Sequence, residues 1–315
     1  MFEKVIEKLN KAKRVGIFTH VNPDGDALGS THSLKLVLED MGKVADVFYC
    51  GEAEPCLFEV IQGAAEVAEG SMEYDLLVAL DCASKDRMGE WTELFENHSN
   101  TVAIDHHITH VEFAKETVVG DISSTCELMY ALYKEMGVAL SVMAATNLYI
   151  GIATDTGNFK FSSVTGDTHR VAAELIDLGI DFANVSKVLF DTVSKEFLAL
   201  RSKAAAKIKF YLENRVAILA LEEEDFAKSG VSEAEASALV SLPSRILGVE
   251  VGVYIRPRSE EGYKVSLRSV KRVDVAEIAA GFGGGGHIRA AGYSVSRDNF
   301  DDNLNALLSE IEKRL

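Results

Sequence analysis

Residues 14–41, RVGIFTHVNPDGDALGSTHSLKLVLEDM, decide the fold. The run Arg14–His20 is apolar and β-branched enough to be a buried strand. Thr31–Met41 repeats apolar residues at helical spacing, with Leu34, Val37, Leu38 and Met41 on one face and Gly42 as its stop. Between them lies a polar loop punctuated by Pro23 and Gly25. The same alternation continues outward. Val44–Cys50, Tyr74–Asp81 and Thr101–Asp105 read as further strands, and helical patterns follow near Thr125–Met136 and Ser141–Thr154. Strand and helix in alternation predict an α/β fold with a parallel sheet covered on both faces.

The pattern changes near residues 186–200. An amphipathic stretch runs to about Tyr211, and strands then return at Val216–Leu221, Val249–Arg256 and Tyr263–Arg268. A short helix over Val275–Ala280 leads into Gly281-Phe-Gly-Gly-Gly-Gly286-His287, and a strand at Gly292–Val295 and a last helix close the chain. We expect a larger domain over 1–188, a linker over 189–200 and a smaller α/β domain over 201–315, two domains being natural for 315 residues.

Composition narrows the function classes. The net charge is −17, which argues against broad binding to long nucleic acids. That charge is uneven: residues 1–194 carry 14 Lys+Arg against 31 Asp+Glu, and residues 195–315 carry 18 of each. The first part suits cations, and the second could face an anion. Cys50, Cys56, Cys82 and Cys126 form no close pair, so no zinc site or disulfide framework is signalled. No apolar stretch is long enough to span a bilayer, and the amphipathic N-terminus lacks the apolar centre of a signal peptide, so a cytoplasmic protein is expected.

The chemistry lies where acidic and imidazole groups fall. His20 ends the first strand and Asp24-Gly-Asp26 follows. Asp81 ends the third, Asp105-His106-His107 ends the fourth, and Asp155 follows an Ala-rich helical segment. Parallel sheets bind ligands outside the carboxyl ends of their strands, so residues distant in sequence converge on one edge. Whether the loop after His20 is a tight turn or a continued strand, it leaves two carboxylates at one strand end. Clustered carboxylates repel unless cations hold them together. Imidazole with carboxylate and no thiolate suits Mn²⁺, Fe²⁺ or Co²⁺ better than Ca²⁺, and Mg²⁺ usually takes fewer protein ligands. In the second part, the glycine run has backbone that can approach an anion closely, and Arg268 and His287 bring positive or switchable charge.

Thr19-His20-Val21-Asn22-Pro23-Asp24-Gly25-Asp26-Ala27-Leu28-Gly29-Ser30 resembles the first motif of the DHH phosphoesterases, and Asp105-His106-His107 is the triplet that names them. Asp81 and Asp155-Thr156-Gly157 match the other two motifs. Gly283–Gly286 with His287, followed by Ala290-Ala291-Gly292, resembles the signature of the DHH-associated C-terminal substrate-binding domain. The resemblance implies two divalent cations, with Mn²⁺ foremost and Mg²⁺ or Co²⁺ as substitutes. His20, Asp24 and Asp81 would hold one; Asp26, Asp81, His106 and Asp155 would hold the other, with Asp81 as the bridge. It implies catalytic roles for His107, beside the phosphate, and for Asp105, which orients its neighbours. Arg268, Gly284, Gly285, Gly286 and His287 would bind the substrate phosphate. The chain looks most like the short two-domain members that degrade oligoribonucleotides a few bases long and dephosphorylate 3′-phosphoadenosine 5′-phosphate (pAp). Short RNA or small nucleotides are then the substrates, with no long duplex and no membrane, and a homodimer is compatible. A hydrolase of linear or cyclic dinucleotides is the alternative, and a nucleotide-binding regulator without turnover is the reading from another class.

Overall fold

The computed structural model of the chain describes residues 1–63, 73–227, 229–231, 233–259 and 262–315. They form two compact units, Met1–Thr192 and Val193–Leu315.

The first unit contains α1 (Glu3–Lys11), β1 (Arg14–Phe18), α2 (Gly25–Asp40), β2 (Val44–Phe48), α3 (Pro55–Val60), β3 (Leu76–Leu80), α4 (Thr92–Glu96), β4 (Thr101–Asp105), β5 (Glu116–Val119), α5 (Thr125–Met136), α6 (Val142–Asp155), α7 (Gly166–Asp177) and α8 (Phe182–Ser186). Its five strands are all parallel, in the order β2-β1-β3-β4-β5. The apolar runs of β1, β3 and β4 follow from burial on both faces. Ile17, Val78, Leu80, Val102 and Ile104 pack against Leu28, Leu34, Leu38, Met129 and Leu148 from the helices. Their alternate neighbours Phe18, Leu77, Ala79 and Ala103 turn to the other face, where Phe48, Met88 and Phe95 cover them. Phe18 and Phe48 stack with ring centres 4.7 Å apart.

The second helix begins earlier than its apolar pattern predicts. It starts at Gly25 because Asp24 caps it: the Asp24 backbone is extended, and its Oδ1 accepts the amides of Asp26 at 3.0 Å and Ala27 at 3.1 Å. The strand before it ends at Phe18, two residues short of His20. The region between is thus a strand end and a helix cap, and Asp26 lies in the first helical turn. The chain then turns at Gly42, which adopts φ +74°. The polar first turn hid this start, and strand β5 and helix α7 were not expected from the sequence.

The second unit contains α9 (Lys195–Lys207), β6 (Lys209–Tyr211), β7 (Val216–Ala220), α10 (Glu223–Ala227), α11 (Glu233–Ser237), β8 (Val251–Ser259), β9 (Gly262–Ser269), α12 (Val275–Gly281), β10 (Gly285–His287), β11 (Ala290–Ser296) and α13 (Phe300–Glu312). Its sheet runs β10-β11-β9-β8-β7-β6 and is antiparallel except for the β7–β8 pair. One face packs Ile218, Val253, Val265 and Leu267 against Ile278, Leu307 and Ile311 of α12 and α13. The other sets Leu219 and Tyr254 against Phe197, Leu200 and Ala204 of α9. Helix α9 begins at Lys195, capped by Ser194, within the stretch expected to be linker.

Candidate metal centre

The strand order 2-1-3-4-5 reverses direction between β1 and β3, the switch point at which parallel sheets open a crevice. Three of the expected residues follow strands at or beside it. His20 lies past β1, Asp81 directly past β3, and His106 directly past β4. Asp24 and Asp26 come from the N-terminus of α2, and Asp155 is the last residue of α6. Helices α2 and α6 approach closely because their contact is lined by glycine. A Cβ on Gly25 would meet Thr154 at 2.5 Å, and one on Gly151 would meet Cys126 Sγ at 2.2 Å and Asp26 Oδ1 at 2.6 Å.

All six side chains meet. His20, Asp24 and Asp81 form one group; Asp26, His106 and Asp155 form a second; Asp81, His106 and His107 form a third. Within each, the candidate ligand atoms lie within 4.8 Å of one another. The two inner histidines are built alike. The Nδ1 of His20 lies 3.0 Å from the Val21 carbonyl, and that of His106 lies 3.3 Å from the Ile122 carbonyl. Donation from Nδ1 leaves Nε2 as the lone-pair nitrogen facing inward, the arrangement of metal-binding imidazoles. His20 Nε2 lies 3.9 Å from Asp24 Oδ1 and 3.6 Å from Asp81 Oδ2. His106 Nε2 lies 3.1 Å from Asp155 Oδ2, 3.6 Å from Asp81 Oδ1 and 3.9 Å from Asp26 Oδ2. Asp81 therefore turns one oxygen to each imidazole. It does so from a left-handed backbone, φ +58°, which aspartate tolerates better than most residues.

Charge in this cluster is strongly opposed. Burial, then the charges of Asp81 and Asp155, pushes Asp26 well above the usual carboxylate range. Burial pushes Asp81 the same way, but the His20 hydrogen bond and the His106 charge hold it below its ordinary value. Burial draws His106 down, but the Asp155 hydrogen bond and the surrounding carboxylates overcome this and raise it to about 10. A set of buried acids held by protons is a site whose donors suit divalent cations.

Two features of the site were missed from the sequence. The first is the N-terminus of α5. The Thr125 and Cys126 amides donate to Asp26 at 2.7 and 2.9 Å, and the Thr125 hydroxyl donates to Asp81 Oδ1 at 3.0 Å. The signal was present: Ser124 with Glu127 three residues on is a helix-start pattern, and Ser124 does cap α5. The second is His110. Asp105 is fully buried, its Oδ1 accepting from the His106 amide at 2.9 Å and His107 Nδ1 at 2.7 Å, its Oδ2 from His110 Nδ1 at 2.6 Å. The Asp105 hydrogen bond, against the effect of burial, raises the His107 pKa. The His107 side chain is 41% exposed.

In the second unit, Arg268 of β9 and His287 of β10 both stand opposite Ala290 of β11. Residues paired across strands share a face, so the two basic side chains flank a methyl group, with backbones about 10 Å apart. Gly252 stands opposite Arg268 on the other side, which keeps the row low. The glycine run is more structured than a free loop. The amides of Gly283 and Gly284 donate to Ala280 and Ala279 at 3.0 and 2.8 Å and close the end of α12, and Gly285 and Gly286 belong to β10. Gly284 thus has no amide free for an anion, contrary to expectation.

A cavity of about 710 Å³ lies elsewhere, lined by Lys4, Lys8, Lys13, Asp75, Asn100 and Glu116 at the amino ends of the strands. It belongs to the edge opposite the carboxylate cluster. Among the described residues, no helix is long and apolar enough to cross a membrane.

Known proteins share both units. The N-terminal domain of the DHH family matches residues 14–152, and the DHHA1 domain matches residues 202–315. A bifunctional oligoribonuclease and PAP phosphatase NrnA of Thermus thermophilus is 32% identical over 95% of this chain and 89% of its own. The protein of that name from Bacillus subtilis is 28% identical over 94% of this chain and 93% of its own. An exopolyphosphatase-related protein of Bacteroides fragilis superposes with a TM-score of 0.90 at 26% identity, covering 98% of this chain and 95% of that one. RecJ of Thermus thermophilus, solved with Mn²⁺, superposes at 0.55 with 15% identity, covering 99% of this chain and 54% of that one, and shares the fold. Matched over 95% of its length by a relative at 32% identity, and in each unit by one of the two domains, the chain belongs to the DHH family of phosphoesterases.

Proposed function

We propose that this chain is a two-cation phosphoesterase that cuts very short oligoribonucleotides to mononucleotides and dephosphorylates pAp to AMP. The single observation that carries the reading is Asp81, whose two oxygens face two separate imidazoles at 3.6 Å each. His20, Asp24 and Asp81 would hold one cation, and Asp26, Asp81, His106 and Asp155 the other. Mn²⁺ fits the mixed imidazole and carboxylate donors best, with Mg²⁺ or Co²⁺ as substitutes. When bound, such cations acidify water and offset the charge that builds on phosphoryl oxygens.

The chain's own groups do the rest. Asp105 takes the proton-bearing Nδ1 of His107, so Nε2 is the nitrogen that ring can offer a phosphate oxygen. With its pKa raised, His107 donates to that oxygen in preference to accepting. Buried Asp26 is held by two amides at the start of α5. In the second unit, Arg268 and His287 grip a nucleotide phosphate across Ala290, helped by the backbone of Gly285 and Gly286. The NrnA relatives support the substrate class, since their names carry both activities and they match nearly the full chain.

The test is a substrate panel with Mn²⁺, Co²⁺ and Mg²⁺ in turn. It comprises di- to penta-ribonucleotides, pAp, linear and cyclic di-AMP, and pyrophosphate. Turnover is expected on the short ribonucleotides and pAp, dependent on metal. Turnover confined to cyclic di-AMP would make the chain a dinucleotide phosphodiesterase. Tight binding without turnover under every metal would make it a regulator.

A further inference from the structure

The sequence D-H-H-I-T-H, residues 105–110, carries a third histidine that the proposed reaction does not use. Its backbone explains its placement. The His110 amide donates to the His107 carbonyl at 3.1 Å, closing a turn over His107–His110 that swings the two rings onto the same carboxylate. The Val111 amide donates to the Ala83 carbonyl at 2.9 Å and anchors the turn to the segment after β3. The His110 side chain is only 4% exposed and lies against Phe113, ring centres 5.5 Å apart. A carboxylate can only accept, so both rings must carry their proton on Nδ1: His107 toward Asp105 Oδ1, His110 toward Asp105 Oδ2. For His110 Nε2 no hydrogen-bond partner exists among the described residues. A buried ring with one nitrogen unsatisfied is costly where a phenyl ring could stand against Phe113 instead. What the imidazole supplies, and phenyl cannot, is the Nδ1–H to Asp105.

We propose that His110 is a positioning residue, which by occupying Oδ2 of Asp105 fixes that carboxylate so that His107 is held with its Nε2 toward the scissile phosphate. The torsion that turns a carboxylate is soft. With one oxygen bonded on each side it is locked in its plane. With Oδ2 released, it can rotate toward other donors, and the His107 ring loses both its direction and its tautomer. The proposal rests on the phosphoesterase reading for its kinetic consequence but not for its structural one.

Two variants separate donor from packing. His110→Phe keeps the ring and removes the donor; His110→Asn keeps an N–H close to the position of Nδ1. His110→Phe should lower kcat on pAp or a diribonucleotide about 10- to 100-fold, the size of effect a misplaced group has. KM and the number of Mn²⁺ ions bound per chain should stay as in the parent, and His110→Asn should restore most of the loss. The imidazole N–H proton of His107, assigned by its disappearance in His107→Gln, gives a readout independent of turnover. It should persist far downfield in the parent and in His110→Asn, and move or exchange away in His110→Phe. Equal loss of kcat in the Phe and Asn variants, or no loss in either, would overturn the proposal. So would a His107 resonance unmoved in His110→Phe. If the Phe variant does not fold, His110→Gln, whose donor reaches past the Nδ1 position, takes its place with the same expected loss. A parent inactive on every substrate would defeat the phosphoesterase reading, and the resonance would still decide the role of His110.

Discussion

At the scale of single residues, the site turns on how Asp81 and His106 share protons and charge. Replacing Asp81 with Ala removes the oxygens that face both imidazoles, and hydrolysis of every substrate should fall at least about 10²- to 10³-fold. Retained turnover at saturating Mn²⁺ would deny the bridge. His106 makes a second prediction. With its pKa raised to about 10, the metal-free ring is charged throughout neutral pH, and binding a cation must expel that proton. Titrating Mn²⁺ in buffers of different ionisation heat should therefore reveal proton release, and affinity should weaken as pH falls. An enthalpy identical in all buffers would contradict this. The residues of this cluster were legible because each is a carboxylate or imidazole placed at a strand end, beside a glycine or, for Asp155, at the end of a helix. Thr125, Cys126 and His110 were not, since the first two hold Asp26 through backbone amides, Thr125 adding only a hydroxyl to Asp81, and the third acts through a neighbour.

Among elements, the seam between α2 and α6 matters most, because it sets Asp26 and Asp155 against each other. Gly151→Ala should force a methyl onto Cys126 Sγ and Asp26 Oδ1, destabilising the fold by about 1–3 kcal/mol and weakening Mn²⁺ binding. Thermal melting with and without Mn²⁺ would check both, and an unchanged melting temperature would mean that the seam yields. In the second unit, His287→Ala should impair turnover of a nucleotide far more than cleavage of a small chromogenic phosphodiester. Equal losses would remove His287 from substrate recognition. Strand and helix types followed from apolar periodicity, and so did the bounds of Thr101–Asp105 and Thr125–Met136, but other ends did not. Asp24 starts a helix through a hydrogen-bonded cap six residues before the apolar pattern, and the glycine run splits between a helix end and an edge strand. Neither leaves a periodic trace.

For the molecule as a whole, buried acids account for only part of the uneven charge visible in the sequence: of the 31 Asp and Glu in residues 1–194, Asp26, Asp81, Asp105 and Glu127 are buried. Each unit has an apolar core of its own. Calorimetry should therefore resolve two transitions, one for each unit. Chelation should lower the one belonging to Met1–Thr192 by about 5–10 °C, which corresponds to about 2.7 kcal/mol of cation binding at a hundredfold excess over Kd. The other should not move. A single transition that shifts as one would mean that the units unfold together. The division between Thr192 and Val193 falls within the stretch 189–200 where the sequence pattern changes, and the helix that Ser194 caps takes up the rest of that stretch.

The backbone at position 81 also bears on how such a protein could change over generations. A left-handed φ of +58° is comfortable for glycine, asparagine and aspartate and costly for nearly everything else, glutamate included. Drift at this position therefore has few exits. A lineage that gave up hydrolysis while keeping the scaffold would be expected to pass through Asp81→Asn or Asp81→Gly, and those substitutions would mark a descendant retired from catalysis.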